Sequence, residues 1–192
     1  MKLALFGYGG HAKEVALQIG KKITFFVDDQ YQNDFAKPIS EFDPSEYYMM
    51  VSVSDPKKRK QIVEKLPSET EFFSFIHPTS ILMDKNILVD IGCFIGAYSI
   101  LTTNISLGKH CILNRGNQIG HDCLIGDYFS AMPGSIISGN VQIGDCTYLG
   151  TNSSVKEKIK ITDNVIIGAN GVVVKDINES GTYVGVPSKK IK

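Results

Sequence analysis

Residues 111–126 read CILNRGNQIGHDCLIG and contain the pattern that decides the fold. An aliphatic residue stands at every sixth position of this stretch, and glycine follows it at positions 120 and 126. The same period continues in both directions, from residue 83 to residue 173, and every residue in the series is apolar. The sixteen members are Met83, Val89, Ile95, Leu101, Leu107, Leu113, Ile119, Ile125, Ala131, Ile137, Ile143, Leu149, Val155, Ile161, Ile167 and Val173.

A period of six matches neither an α-helix, which repeats every 3.6 residues, nor a flat strand, which alternates. A turn every six residues explains it, because three such segments close one triangular coil. Coils of this kind hydrogen-bond to one another about 4.8 Å apart, with the aliphatic residue inside. Fifteen segments from Ile87 to about Asp176 predict five coils, a parallel β-helix roughly 24 Å tall.

The cysteines follow the same repeat. Cys93 and Cys111 stand one coil apart and are expected to stack as small core residues, not as a disulfide. A zinc site would need Cys111 and Cys123 together with His110 and His121, but the cysteines occupy an inward phase and the histidines do not. We therefore expect no metal, and we expect His110 to be a solvated corner residue.

Residues 1–75 show a different pattern, that of a small α/β domain of three or four strands, and residues 76–192 form the β-helix with a short tail. Strands are predicted at Lys2–Phe6, Ile23–Val27 and 47–53, and helices at His11–Ile19 and Lys57–Leu66. Asp55 followed by Pro56 is a typical start for the second helix.

The turn after the first strand carries Gly7, Gly9 and Gly10, and the second strand ends in Asp28 and Asp29. Three interpretations stay open at this point. The turn resembles the phosphate loop of a dinucleotide-binding domain, although such a domain needs a larger sheet than this N-terminal segment can supply. The glycines can also serve only a tight strand-to-helix turn, or the helix N-terminus and the acidic pair can hold a nucleotide's phosphates and ribose or base.

The composition limits the classes of binding partner that we expect for this protein. Twenty Lys and Arg balance twenty Asp and Glu, so no global positive field favours nucleic acid. The basic run Lys57–Lys60 is predicted to be a solvated helix face from which Arg59 is within reach of a nucleotide phosphate. No apolar stretch approaches the ~20 residues that a membrane span requires, and no leader pattern is present, so a cytoplasmic location is expected.

The combined motifs resemble one family, the PglD/NeuD type of sugar acyltransferase. They are a Gly-x-Gly-Gly-His-Ala loop, the acidic pair, Ile76-His77-Pro78, Gly120-His121-Asp122-Cys123 within the repeat, and a terminal Gly185-Val186-Pro187. The resemblance implies a left-handed parallel β-helix and a homotrimer with active sites between adjacent prisms. It implies acetyl-CoA as cosubstrate and, as acceptor, the amino group of a UDP- or dTDP-linked 4-amino-dideoxy sugar.

Site residues follow from the same resemblance. It makes His121 the general base, Asp122 its carboxylate partner and the backbone N–H of Gly139 the donor that steadies the thioester oxygen. It also assigns the nucleotide-sugar to the N-terminal domain and CoA to the prism. The implied acceptor residues are Asn114 and His11, and the implied nucleotide contacts are Asp28 and Asp29.

One position departs from the family pattern. Where many members carry a second histidine, this chain has Ser130, so the acceptor or the proton handling is expected to differ. For this reason we keep an O-acetyltransferase of a sialic acid or other glycan hydroxyl as the alternative. A third hypothesis, from another class, is a scaffold whose prism holds nucleotide-binding domains together.

The chemistry agrees with the position of His121. Acyl transfer from a thioester needs a base that is effective near neutral pH and donors for the tetrahedral oxyanion. His121 stands two residues after the inward Ile119, at a corner where its ring points out of the prism, and a neighbouring subunit is needed to enclose it. Adjacent side chains diverge in an ordinary strand, so pairing of His121 with Asp122 requires an irregular corner backbone.

Overall fold

The structure is a computed structural model that describes residues 1–192. The N-terminal domain contains a parallel sheet of four strands in the order β3-β2-β1-β4, flanked by two helices. Its elements are β1 (Lys2–Phe6), α1 (Gly10–Ile19), β2 (Ile23–Val27), β3 (Ala36–Pro38), β4 (Tyr47–Val51) and α2 (Pro56–Lys65). Short 3₁₀ turns lie at Asp29–Tyr31 and Ile39–Glu41.

Both helices begin and end where the sequence predicts, to within one residue. α1 follows the N-cap Gly9 and stops at Gly20, whose φ of 64° is the left-handed conformation typical of a helix C-terminus. In α2, the Asp55 carboxylate caps the first turn by accepting the Lys58 N–H at 2.9 Å, with Pro56 at the first helical position. Neither helix is long and apolar enough to cross a membrane.

The rest of the chain winds into the predicted left-handed parallel β-helix, a prism with three faces. The first face, which we call the covered face, contains Phe75–Ile76, Phe94–Ile95, Ile112–Leu113, Ser130–Ala131, Tyr148–Leu149, Val165–Ile167, Gly181–Val184 and Lys189–Lys190. The second face contains Ile81–Leu82, Ile100–Leu101, Gln118–Ile119, Ile136–Ile137, Ser154–Val155 and Val172–Val173. The third face contains Leu88–Val89, Ser106–Leu107, Leu124–Ile125, Gln142–Ile143 and Lys160–Ile161.

The interior of the prism confirms the period of six. Leu101, Leu113 and Leu149 have no exposed surface, and they belong to a core cluster of 23 buried residues. Cys93 and Cys111 are fully buried in one column, and the Cys93 thiol accepts the Cys111 N–H at 3.4 Å. Burial raises the pKa of the Cys111 thiol well above its ordinary value, so it acts as a packing group and not as a thiolate.

The prediction for the first coil was wrong in which residue points inward. The first strand of the prism is Phe75–Ile76, at the predicted boundary near residue 76, and two strands, Phe75–Ile76 and Ile81–Leu82, precede the five coils predicted from Ile87. Leu82, not Met83, occupies the inward position, because it pairs with Leu101 while Met83 is 63% exposed. One extra residue between Leu82 and Leu88 lengthens the first coil relative to those that follow. Because of this insertion, Met83 matches the apolar series in the sequence although its side chain does not point into the prism.

The N-terminal domain packs on the covered face. Phe94 and Ile112 point out of the prism, yet they are 1% and 2% exposed because Leu5, Val15 and Met50 of the N-terminal domain cover them. The other two faces have no such cover within the chain. The two domains therefore share one apolar joint.

Arg59 lies at the centre of this joint, which overturns the expectation of a solvated residue within reach of a phosphate. Its side chain is fully buried, whereas Lys57 and Lys58 of the same run are exposed. The guanidinium donates to backbone carbonyls on both sides of the joint and to one hydroxyl. The acceptors are Val53 O at 2.6 Å, His110 O at 2.8 Å, Tyr128 O at 2.7 Å, Phe129 O at 3.0 Å and Ser130 Oγ at 2.9 Å.

His110 is also part of the joint, so the prediction of a solvated corner histidine was wrong. The ring is stacked on Tyr128 with centroids 5.3 Å apart and meets Phe72 edge-on at 4.6 Å. Burial, with the Arg59 guanidinium as second cause, lowers the pKa of His110 to about 4. The sequence could not show this because the covering residue, Phe72, comes from the other domain.

The first prediction concerns Arg59. We expect Arg59→Ala to lower the free energy of unfolding by about 3 kcal/mol or more, because several buried carbonyls lose their donor. Arg59→Lys should retain only part of this stabilisation, because a lysine ammonium cannot donate to carbonyls on both sides of the domain joint as the planar guanidinium does. Urea unfolding measures the effect, and Lys58→Ala on the exposed side of α2 should change it by less than about 0.5 kcal/mol. A loss below about 1 kcal/mol in Arg59→Ala would contradict the central role of this side chain.

The second prediction concerns pH. His110 titrates near ~6.5 when unfolded but near 4 when folded, so the unfolded state binds more protons between these values. Stability should therefore fall as pH drops from about 6.5 to about 4 and level off below. His110→Asn keeps a residue tolerated at φ 53° and removes the titrating group, so its stability should fall less steeply in that window. If the stability of the wild type and of His110→Asn fell equally steeply with pH, His110 would not be the group that titrates in this window.

Candidate functional site

His121 and Asp122 form a hydrogen-bonded pair at the corner between the second and third faces. Asp122 has φ 58°, and this left-handed turn directs the two adjacent side chains toward each other. The His121 Nδ1 and the Asp122 Oδ2 lie 2.7 Å apart. When Nδ1 carries the proton, the Asp122 carboxylate accepts the hydrogen bond from Nδ1–H. The other ring nitrogen, Nε2, is then unprotonated and free to accept a proton. The irregular backbone that pairing required is therefore present.

Asp122 is also held from the preceding coil by a residue that the sequence reasoning missed. Asn104 Nδ2 donates to Asp122 Oδ1 at 3.1 Å, so each carboxylate oxygen has one donor. The hydrogen bond from His121, followed by that from Asn104, lowers the pKa of Asp122. The sequence does contain a signal for this contact. Asn104 stands three repeats of six residues before Asp122, so it occupies the same corner one coil away.

Gly139 lies directly beyond the imidazole, one coil after His121. A Cβ at this position would be 2.5 Å from His121 Nε2, so only glycine leaves room for the ring. The Gly139 N–H makes no hydrogen bond within the chain, while its carbonyl accepts the Lys158 N–H at 3.0 Å. The predicted base, its carboxylate partner and the predicted backbone donor are thus neighbours.

This corner is open in the single chain. The His121 side chain is 56% exposed and that of Asp122 is 46% exposed. Exposed aliphatic residues lie on both faces that flank the corner: Ile81 and Ile136 on the second face, Leu88 and Leu124 on the third. The dyad is therefore bordered by apolar surface that nothing in the chain covers.

The glycine loop of the N-terminal domain is open as well. Gly7 has φ 113°, and a Cβ there would lie 3.3 Å from Ser52 O, so this glycine serves the turn. Gly9 and Gly10 differ, because a Cβ at either would meet nothing within 4 Å. No side chain caps α1 and no acidic residue lies in its first turn, which leaves free N–H groups facing open space.

The acidic pair divides into two roles. Asp29 Oδ1 accepts the Ser40 N–H at 3.0 Å and so fixes the neighbouring loop. Asp28, the N-cap of the 3₁₀ turn, is exposed and makes no side-chain hydrogen bond. Asp28 is therefore the member of the pair that is free to contact a ligand.

An aromatic pair that the sequence analysis did not single out lies beside this loop. Tyr8 is stacked on Phe35 with an interplanar angle of 11° and centroids 5.9 Å apart, and Lys13 Nζ lies 4.4 Å from the Tyr8 ring centroid. Phe35 is 71% exposed, yet its backbone N–H is fixed by Asn33 Oδ1 at 3.0 Å. An exposed and locally ordered aromatic ring is a surface on which a planar group can stack.

His11 and Asn114 lie near a different corner, the one between the covered and second faces. His11 packs edge-on against Phe94, its Nε2 is buried without a partner, and burial lowers its pKa. Asn114 is 5% exposed and accepts the Arg115 N–H through its own side-chain oxygen at 2.8 Å. Glu14 of α1 pairs with Arg115 at 3.3 Å and ties the helix to this corner.

The predicted site residues therefore form two groups within one chain. His121, Asp122 and Gly139 lie at one corner of the prism, and His11 and Asn114 lie near another. The second face separates them, and a side of about six residues is about 20 Å long. The structure does not bring the two groups together in a single copy.

Ser130 belongs to neither group, which corrects the expectation that it affects the acceptor. It is fully buried in the domain joint, where its hydroxyl donates to Ser54 O at 2.8 Å and accepts from Arg59. No group of three or more His, Cys, Asp or Glu side chains that could hold a metal ion is present.

Residues 2–66 match the PglD N-terminal domain family. The match lies within the N-terminal domain of this chain. The PglD-type domain is the part that carries the glycine loop, Asp28 and the Tyr8–Phe35 pair, and the resemblance predicted from the sequence is confirmed.

A curated relative matches part of the chain. It is the GDP-perosamine N-acetyltransferase of Escherichia coli O157:H7, which is 30% identical over 123 residues, or 64% of this chain and 55% of the relative. The chain thus spans about half the length of the curated relatives it matches.

Two solved structures share the whole architecture, from the PglD-type domain to the prism. The acetyltransferase domain of PglB from Neisseria gonorrhoeae FA1090, in complex with acetyl coenzyme A, is 28% identical with a TM-score of 0.88, over 99% of this chain and 98% of that one. PerB from Caulobacter crescentus, in complex with CoA and GDP-perosamine, is 24% identical with a TM-score of 0.89, over 100% and 98%. At the lower identity the likeness is one of fold.

The third prediction tests the room beside the imidazole. Gly139→Ala should displace the His121 ring and break its hydrogen bond to Asp122, because the added methyl would overlap Nε2. The fold should survive, since the φ of Gly139 is not positive and the atoms nearest to the added Cβ all belong to the His121 side chain. A crystal structure of the variant measures the ring position. Glu157→Ala, at the same corner one coil further, should leave the 2.7 Å bond intact, and an unmoved ring in Gly139→Ala would contradict the prediction.

Proposed function

We propose that this protein is an acetyl-CoA-dependent N-acetyltransferase that acts on the amino group of a nucleotide-linked amino sugar. The observation that carries the proposal is the His121–Asp122 pair, whose free Nε2 lies against Gly139. The N-acetyl transfer and the GDP-linked sugar in the relative's name support it. So does the acetyl coenzyme A bound by the 28% identical PglB domain.

The geometry of this corner supports the following reaction. The Nε2 of His121 takes a proton from the acceptor amine while the amine nitrogen attacks the thioester carbonyl carbon. Asp122 keeps the opposite ring nitrogen protonated and stabilises the imidazolium that forms. The Gly139 N–H, which has no partner in the chain, donates to the tetrahedral oxyanion. The C–S bond then breaks, the proton passes from His121 to sulfur, and free CoA leaves with its thiol restored.

The nucleotide part of the acceptor is assigned to the PglD-type domain. Free N–H groups at the start of α1 suit a diphosphate, and Lys13 adds a positive charge nearby. Phe35 offers a ring on which a base can stack, and the exposed Asp28 offers a carboxylate to ribose or base hydrogen-bond donors. An aromatic ring such as that of Phe35 can stack on any nucleobase. GDP is therefore a candidate nucleotide in addition to UDP and dTDP.

A homotrimer would complete the site. Base and acceptor groups lie at different corners of one prism, so a second copy must bring its acceptor corner to the dyad of the first. The exposed aliphatic residues on both faces beside His121 are suited to that contact, because pairing them would bury apolar surface around the dyad. In such an assembly the half-exposed imidazole becomes enclosed.

The O-acetyltransferase alternative loses the observation that motivated it. Ser130 was the reason to expect a different acceptor, and Ser130 is committed to the domain joint. The scaffold hypothesis is disfavoured by the ordered pair of His121 and Asp122 at an exposed corner, which a purely structural prism does not need.

The fourth prediction is the direct test. A free-thiol assay should detect CoA release from acetyl-CoA with at least one member of a panel of GDP-, UDP- and dTDP-linked 4-amino sugars. His121→Asn should lower kcat/KM by about 10²–10⁴-fold, the usual range for removal of a general base. His77→Asn is the matched control, because His77 is a partly exposed histidine whose ring is bonded to Thr79 at 2.9 Å.

Two results would overturn the proposal. One is CoA release only with hydroxyl acceptors such as sialic acid, which would establish the alternative. The other is silence across the panel together with no binding of acetyl-CoA or of any nucleotide sugar.

A further inference from the structure

We infer that Asn104 is a positioning residue for the base, acting through Asp122, an inference that rests on the proposed function. Asn104 makes no hydrogen bond to the imidazole. It donates to the carboxylate oxygen that faces away from the ring, while the other oxygen holds Nδ1. The three side chains form a relay that crosses from one coil to the next.

The need for such a residue follows from exposure. The Asp122 side chain is 46% exposed, so water competes for its oxygens and the carboxylate is free to rotate away from the ring. The bond between Asp122 and His121 alone fixes one oxygen only. A second donor on the other oxygen restricts rotation about the side-chain bonds and keeps the carboxylate in the orientation that selects the Nδ1–H tautomer.

The backbone supports the same arrangement. The Asp122 N–H donates to Thr103 O at 3.1 Å, which fixes the corner of one coil on the corner of the preceding coil. Asn104 itself has φ 50°, a left-handed conformation that asparagine tolerates and most other side chains do not. Asparagine thus satisfies two requirements at once, the turn and the donor.

Titratable side chains adjoin the relay on both sides. His121 lies beside Asp122, and the Asp84 carboxylate accepts from the Thr103 hydroxyl and lies near the backbone N–H of Asn104. The Cys123 thiol, beneath the corner, donates to backbone carbonyls and not to Asp122. A neutral donor at position 104 therefore adds no second negative charge next to Asp122.

Two substitutions separate the donor from the turn. Asn104→Gly keeps the left-handed backbone and removes the amide. Asn104→Asp keeps the shape and replaces the donor with a second carboxylate. Asn164→Gly is the matched control, because Asn164 is a corner asparagine with φ 60°, close to the φ of 50° at Asn104, and it lies at another corner of the prism, far from the dyad.

We expect kcat to fall about tenfold in Asn104→Gly, with KM for acetyl-CoA changed less than twofold, as for loss of one hydrogen bond to a charged group. Asn104→Asp should lose more at neutral pH, and its rate relative to the wild type should recover in part as the pH falls, where the two carboxyl groups share a proton. A residue that only stabilised the fold would not produce this change in the pH profile. Asn164→Gly should match the wild type in kcat and in pH profile.

A second readout does not depend on activity. NMR of the imidazole nitrogens of His121, assigned with His121→Asn, reports which ring nitrogen carries the proton. The Nδ1–H fraction should fall in Asn104→Gly and stay at the wild-type value in Asn164→Gly. If no acceptor releases CoA, the proposed function fails while this measurement still decides the role of Asn104. An unchanged tautomer, or an unchanged kcat in an active enzyme, would overturn the inference.

Discussion

The stacking of parallel coils, each closed by three repeats of six, governs the rest of this structure. Each residue has as its neighbours the residues one coil before and one coil after it, because the strands pair in parallel register. Interior positions become columns such as Cys93 above Cys111, and corner positions become columns such as His121 beside Gly139. The surroundings of a side chain are therefore decided by residues distant in sequence and fixed in register.

The same constraint explains how the His121–Asp122 pair is placed on a rigid support. Left-handed residues recur at the corners, and at Asp122 this geometry turns two adjacent side chains toward one another. The coil before supplies Asn104, and the coil after supplies a glycine that leaves space for the ring. A pair that a flat strand would separate is thus held in hydrogen-bonding distance by backbone that has little freedom to move.

Arg59 is the second determining contact, because it joins the PglD-type domain to the prism. Its guanidinium is bonded to carbonyls on both sides, and burial lowers its pKa only to about 10, so it stays charged at neutral pH. Ser130 and His110 take part in the same joint. The orientation of the glycine loop relative to the prism depends on this contact.

The period of six, visible in the sequence, determined the prism, the inward cysteines and the outward corner at His121, because regular backbone repeats leave a regular apolar pattern. Local rules likewise determined both helices, through Asp55, Pro56 and Gly20. Only the tertiary structure decided the roles of Arg59, His110 and Ser130, since nothing along the sequence shows that these polar side chains are buried where the two domains meet. It also decided that Leu82 and not Met83 points inward, because one inserted residue shifts the phase without changing the apolar pattern. Register and interdomain burial are properties of distant segments in contact, and a pattern read along one chain contains neither.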